Sequence, residues 1–270
     1  MAEGHIAEGH IPERGGPRPA LQRPARTAGT PPLIVVFAAL CVVELIGVAT
    51  GKHAVEWVAK PLLAPLLAAH LWRLTGTRHA YVLTGLLLAA AGDIALLIPG
   101  TPAFGIGLAL FLGAQLCWIT AFLRAGALGH LRTRRAVCAA YLAVWAAAVA
   151  ALAPTLGPAL GSAVAVYALA LLTMALTARV LGPKALWGGL IFVASDSLIG
   201  LGAAGLDFPG RSTLCMTTYI AALALLVTAF TTHPTRATAQ PQHKEPPATF
   251  GRGLSPSVGA DGFEPPTSCL

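Results

Sequence analysis

Of the chain's 270 residues, 56% are hydrophobic and only 11% are charged, against about 25% charged in an ordinary soluble domain. That balance argues against a water-soluble globule, and the charged residues gather outside the long apolar stretches, so lipid is the natural solvent. The formal charge of +7 does not mark a nucleic-acid binder, because Lys and Arg fall between apolar stretches rather than beside polar or aromatic readers on one element. Such spacing is that of topogenic charge in a membrane protein.

Residues 1–32 carry Arg14, Arg18, Arg23 and Arg26 among Pro, Gly and Thr, with too little apolar surface to fold alone, and are predicted to be a disordered tail. The stretch 33–51 exceeds the h-region of a signal peptide and is followed by further spans, so it reads as an uncleaved first helix. Seven more stretches reach the roughly 20 apolar residues that a hydrocarbon core of about 30 Å demands: 54–73, 80–99, 103–123, 136–153, 159–181, 185–205 and 212–231. In lipid a helix satisfies its own backbone groups, and the alternation of a barrel is absent. The fold class is therefore all-α, a polytopic transmembrane bundle of about eight helices over 33–231. Internal Pro61, Pro65 and Gly92 are compatible with such spans. Residues 232–270 form a second predicted tail without periodicity. Cys41, Cys117, Cys138 and Cys215 lie in apolar stretches with no C-x-x-C spacing and read as small packing residues.

Orientation follows from the loops. If the N-terminus is cytoplasmic, that side holds the early arginines, Arg73 and Arg78, Arg124, Arg132, Arg134 and Arg135, Arg179 and Lys184, then Arg236, Lys244 and Arg252. The opposite side holds only Lys52 and Arg211. The asymmetry recurs at every loop, which predicts an even number of spans in the plasma membrane, both termini cytoplasmic, and membrane lipids as the expected surroundings of the basic loops.

Ionisable groups at membrane depth are costly and usually face a protein interior or a wet cavity. These are Glu44, Glu56, Lys60, Asp93 and Asp196, with His70 and Gln115 as weaker members. At about 1.5 Å per residue, Lys60 lies roughly 9 Å below the outer boundary. Asp93 falls at nearly the same depth, and Asp196 and Glu44 come a few ångströms deeper. Four helices thus contribute to one layer, in which Lys60 could pair with a carboxylate; His70 and Gln115 fall in the inner half. Bland readings compete: Glu56 and Lys52 near a boundary read as hydrated, a Lys60–aspartate pair can be purely structural, and Gln115 and Ser195 are common helix–helix glue. Trp57, Trp72 and Trp187 read as interface anchors, Trp118 and Trp145 as packing. Asp93 and Asp196 are hardest to dismiss, since strongly apolar sequence flanks each on both sides. The segments around them, 86–97 and 189–200, are weakly alike, which suggests a duplicated four-helix unit.

Lys60-Pro61, Gly92-Asp93, the FLGAQLCWITAF stretch (111–122), FVASDSL (192–198), Tyr167 with Met174, and Tyr219 together resemble the YhhN family, over about residues 35–230. The resemblance implies a lysoplasmalogenase-like hydrolase that cleaves the vinyl ether bond of a lysophospholipid substrate, giving a fatty aldehyde and a glycerophospho-headgroup. Two positions depart from the family pattern: Gln115 stands where His is common, and Leu223 follows the Tyr219-x-x-Ala222 motif where Gln is common.

The chemistry suits the residues. A vinyl ether hydrolyses by protonation at its β-carbon, water capture of the oxocarbenium ion and collapse of the hemiacetal, which asks for a general acid and a second carboxylate. Asp93 and Asp196 are the expected catalytic pair, with Lys60, Glu44, Gln115, Tyr167, Ser195 and Tyr219 expected around the substrate, and no cofactor or metal is called for. Two other classes stay open: a transporter or lipid-binding protein that uses the same buried charges, and an intramembrane aspartyl protease, for which Gly92-Asp93 lacks the fuller G-x-G-D signature.

Overall fold

The computed structural model describes residues 32–232, and among them every regular element is helical. Both predicted tails lie outside the described residues. In chain order the helices are α1 (Pro32–Thr50), α2 (His53–Thr75), α3 (Ala80–Leu97), α4 (Thr101–Arg124), the short α5 (Ala127–Arg132), α6 (Arg135–Ala178), α7 (Pro183–Ala203) and α8 (Arg211–Thr232). Helix α5 was not anticipated; its six residues lie in the basic loop between spans.

The predicted spans map onto these helices with one difference of form. Spans 136–153 and 159–181 are joined in α6, which breaks at Gly157, where φ is 73°, a left-handed value that glycine adopts without a Cβ clash. Trp145 of the first arm donates its indole N–H to the Ala165 carbonyl of the second at 2.9 Å. The arms therefore fold back on each other as a hairpin. Six segments are long and apolar enough to cross a membrane; one of them, His53–Leu97, comprises both α2 and α3, and the arm Arg135–Ala151 adds a shorter apolar helix. The chain is a multi-pass membrane protein.

Sequential helices pack as neighbours, and α8 returns against α1 and α2. Because lipid tails are as apolar as the helices, association rests on close fit and small residues rather than on water exclusion. Gly188 and Gly189 show this on two adjoining faces of α7. A Cβ on Gly189 would lie 2.9 Å from the Ala175 Cα of α6, and one on Gly188 would lie 3.1 Å from the Leu226 backbone nitrogen of α8. Helix α7 is thereby wedged tightly between the two elements that flank Asp196.

Outward faces are apolar: Val35, Val42 and Ile46 of α1 are exposed, and within that helix only Glu44 and Gly47 are buried. The tryptophans divide as the sequence suggested. Trp57, Trp72 and Trp187 are exposed, whereas Trp118 is wholly buried and stacks on Phe122 at 6.2 Å. Arg211, one of the two cations assigned to the sparsely charged side, staples a helix end. It donates to the Leu198 carbonyl at 3.0 Å and to the Asp207 carboxylate at 2.8 Å, and the bond from Arg211 holds the exposed Asp207 carboxyl below its ordinary range.

Gly189→Val should lower the unfolding temperature in detergent, by an overpacking cost of about 1–3 kcal/mol. Gly129→Ala in α5, where a Cβ meets nothing within 4 Å, should leave that temperature unchanged or raise it. A thermal unfolding comparison of the two purified variants checks both.

Candidate functional site

Asp93 on α3 and Asp196 on α7 are both buried, at 2% and 8% exposure, and each has a tyrosine hydroxyl as its partner. Tyr219 of α8 donates to Asp93 Oδ2 at 2.7 Å, and Tyr167 of the second α6 arm donates to Asp196 Oδ2. The two pairs lie within electrostatic reach of one another: Asp196 feels the charge of Asp93, and Tyr219 feels both Asp196 and Tyr167. Lys60 of α2 approaches Asp93 Oδ1 to 3.9 Å. The structure thus joins into one polar cluster the layer that depth alone suggested.

Local sequence explains the precision. Gly92 immediately precedes Asp93, and a Cβ there would lie 2.7 Å from the Phe111 ring; the missing side chain lets that ring close on α3. Phe111 then meets Tyr219 edge-on at 6.2 Å, and Phe192 meets it from α7 at 5.7 Å. Two edge-on aromatic contacts fix the tyrosine ring and so aim its hydroxyl at Asp93.

The remaining candidates divide. Glu44 is wholly buried, its two carboxyl oxygens have no hydrogen-bond partner, and it lies in the field of Lys60 and Asp93. It joins the cluster. Gln115, also wholly buried, comes beside the Tyr167 hydroxyl, although its amide makes no hydrogen bond of full geometry. Its expected separation from the aspartate layer is therefore corrected. Backbone depth set that expectation, and two long side chains reaching toward each other span the difference. Ser195 instead donates to the Cys215 carbonyl of α8 at 3.0 Å, which is helix–helix glue. Glu56 pairs with His53 at 3.6 Å, and His70 is buried without joining the aspartates in any hydrogen bond or ion pair described.

A cavity of about 210 Å³ opens beside Asp196, between α3, α4, both arms of α6, and α7. Its walls are apolar apart from Tyr167, Asp196 and Ser197, and the Ser197 hydroxyl is already bonded to the Val193 carbonyl. Reasoning from costly polar groups could not find these walls, because alanines, glycines and leucines in a span carry no signal. A carboxyl that opens onto an apolar void and is coupled to a second carboxyl can pass a proton to a nonpolar reactant.

The YhhN family profile matches residues 55–230. The chain belongs to the YhhN family. It is 35% identical to a lysoplasmalogenase of Mycobacterium bovis over 170 residues, covering 59% of this chain and 62% of the relative, and the same figures hold for a lysoplasmalogenase of Mycobacterium tuberculosis. With the rat protein named Lysoplasmalogenase TMEM86B (Rattus norvegicus) it shares 30% identity over 178 residues, 63% of this chain and 72% of that one. No solved structure matches it. Helix α1, with Glu44, precedes the segment that the YhhN profile covers.

Gly92→Ala should push the Phe111 ring off α3 and lower the unfolding temperature, again at about 1–3 kcal/mol. Adding Phe111→Leu should restore most of the loss, because the two changes share one contact. Thermal unfolding of the single and double variants measures the coupling.

Proposed function

We propose that the protein is a membrane hydrolase that cleaves the vinyl ether bond of lysoplasmalogen-type lysolipids to a fatty aldehyde and a glycerophospho-headgroup, with Asp93 and Asp196 as its catalytic residues. The observation that carries the reading is the pair of buried carboxyls, each held by a tyrosine hydroxyl, with Asp196 lying in the field of Asp93 and opening onto an apolar cavity. Kinship with proteins named lysoplasmalogenase supports the substrate class.

The cluster's composition suits an acid and a carboxylate working together. Glu44 and Asp93 share one nearby cation, Lys60, and Asp196 lies in the field of Asp93. Keeping several unpaired charges out of water is expensive, so a set of three carboxyls and one ammonium can hold ionised and protonated carboxyls side by side. One carboxyl gives its proton to the β-carbon of the vinyl ether, and the π electrons form the new C–H bond. The other stabilises the oxocarbenium ion and accepts a proton from the water that adds to it. Collapse of the hemiacetal then breaks the bond to the glycerol oxygen, which takes up that proton, while the hemiacetal hydroxyl returns a proton to the first carboxyl. Aldehyde and alcohol leave, and both aspartates regain their starting states. Tyr167 and Tyr219 hold the carboxyls in place, Lys60 is suited to a lipid phosphate as well as to Asp93, and Glu44 and Gln115 bring unsatisfied polar groups to the same region. The enzyme would sit in the plasma membrane with both termini in the cytoplasm.

Asp93→Asn and Asp196→Asn preserve shape but remove the proton traffic, so each should lower aldehyde release from lysoplasmalogen by about a hundredfold or more. The measurement is aldehyde formation by purified protein in detergent. Full turnover in both variants would end this assignment.

A further inference from the structure

The cavity beside Asp196 has a chemistry of its own that the two aspartates do not explain. No Lys or Arg contributes to its wall, and its polar lining is confined to Tyr167, Asp196 and Ser197. Tyr167 already donates to Asp196 and Ser197 to Val193, so the carboxyl is the remaining polar function turned to the void. A glycerophospho-headgroup placed here would lose its water and find no cation, which disfavours it strongly. An aliphatic chain would lose nothing and would gain contact with the leucine, valine and phenylalanine walls. Lys60 lies elsewhere, against Asp93, and does not line the cavity.

We propose that this cavity is the binding site for the substrate's aliphatic chain, and that the small residues Ala148 and Gly161 at its far end set the chain length accepted. The inference rests on the lysolipid reading above and adds an orientation to it. The chain occupies the space between α4, α6 and α7, its vinyl carbons come to Asp196 at the inner end, and the headgroup lies on the side of Asp93 and Lys60. The wall from the second α6 arm runs from Gly161 to Leu171, roughly 15 Å of helix, so the void extends along that helix rather than sitting as a bubble around the carboxyl. Ala148 belongs to the first α6 arm and Gly161, which is buried, to the second. The hairpin held by the Trp145–Ala165 bond therefore brings an alanine methyl and a bare glycine backbone to one end of the void. Neither residue touches the aspartates or tyrosines in any interaction described.

The test enlarges those two positions separately, Ala148→Phe and Gly161→Leu, and measures kcat/KM on lysoplasmalogens with octenyl, dodecenyl and hexadecenyl chains. Each variant should lose about tenfold or more on the hexadecenyl substrate relative to the octenyl one, the scale on which an apolar pocket distinguishes chain size. Equal losses at every chain length, in whichever variant folds, would overturn the proposal. A second measurement separates it from the hydrolase reading: thermal stabilisation of the wild type and both variants by saturated ether lysolipids of the same chain lengths, which cannot be hydrolysed at a vinyl bond. A wild type that releases no aldehyde, yet is stabilised in a chain-length-dependent way that the variants shift toward shorter chains, would sustain the chain site and dismiss the reaction. Stabilisation with the same chain-length dependence in all three proteins would dismiss the chain site.

Discussion

A carboxyl buried at membrane depth must be given partners, and much of this structure follows from giving them to two. Tyr219 and Lys60 converge on Asp93, and Tyr167 converges on Asp196. Each of these partners comes from a different helix, so satisfying the carboxyls ties α2, α3, α6, α7 and α8 together in a medium that supplies no hydrophobic force between them. The apolar packing then follows the polar geometry. Gly92 admits Phe111, Phe111 and Phe192 fix Tyr219, and Gly188 with Gly189 lets α6 and α8 close on two adjoining faces of α7.

The partners of the two aspartates come from both ends of the chain order. Asp93 on α3 is met by Lys60 of the preceding helix and by Tyr219 of α8, the last helix. Asp196 on α7 is met by Tyr167 of the preceding helix arm, and Gln115 of α4 comes beside that tyrosine. A cation accompanies one aspartate, while the other has a neutral phenol and opens onto the cavity. That asymmetry gives two similar carboxyls two environments, which is the condition for them to play two roles.

The all-helical bundle, the interruption between 153 and 159 in α6, and the gathering of Lys60 and Glu44 around Asp93 were legible in the sequence. Each depends on a quantity that changes steeply with residue type: apolar length for the helices and for the division of 136–181, and the cost of ionisable groups in lipid for the cluster. Tyr167 and Tyr219 emerged only through the family pattern, since a tyrosine in a span is cheap enough to pass unnoticed. The neighbourhood of Gln115 was misjudged because depth along a helix axis ignores the reach of a side chain. The cavity was invisible, because it is a property of where Ala148, Gly161 and Phe111 leave space rather than of what they are.

The bundle is also unequal along its length. At the end bearing the basic loops, Trp118, Phe122 and Phe230 stack on one another, and His79 meets Phe230 edge-on at 5.2 Å. Trp118 and Phe122 are wholly buried. This aromatic plug fills the space between α4 and α8 beneath the aspartates, where the facing helices could otherwise admit solvent. Toward the other end aliphatic and small residues, Leu108, Val164, Ala148 and Gly161 among them, line a void instead. A close-packed interior resists opening on the plugged side, so the room beside Asp196 lies away from the aromatic stack, on the side where α6 turns back on itself.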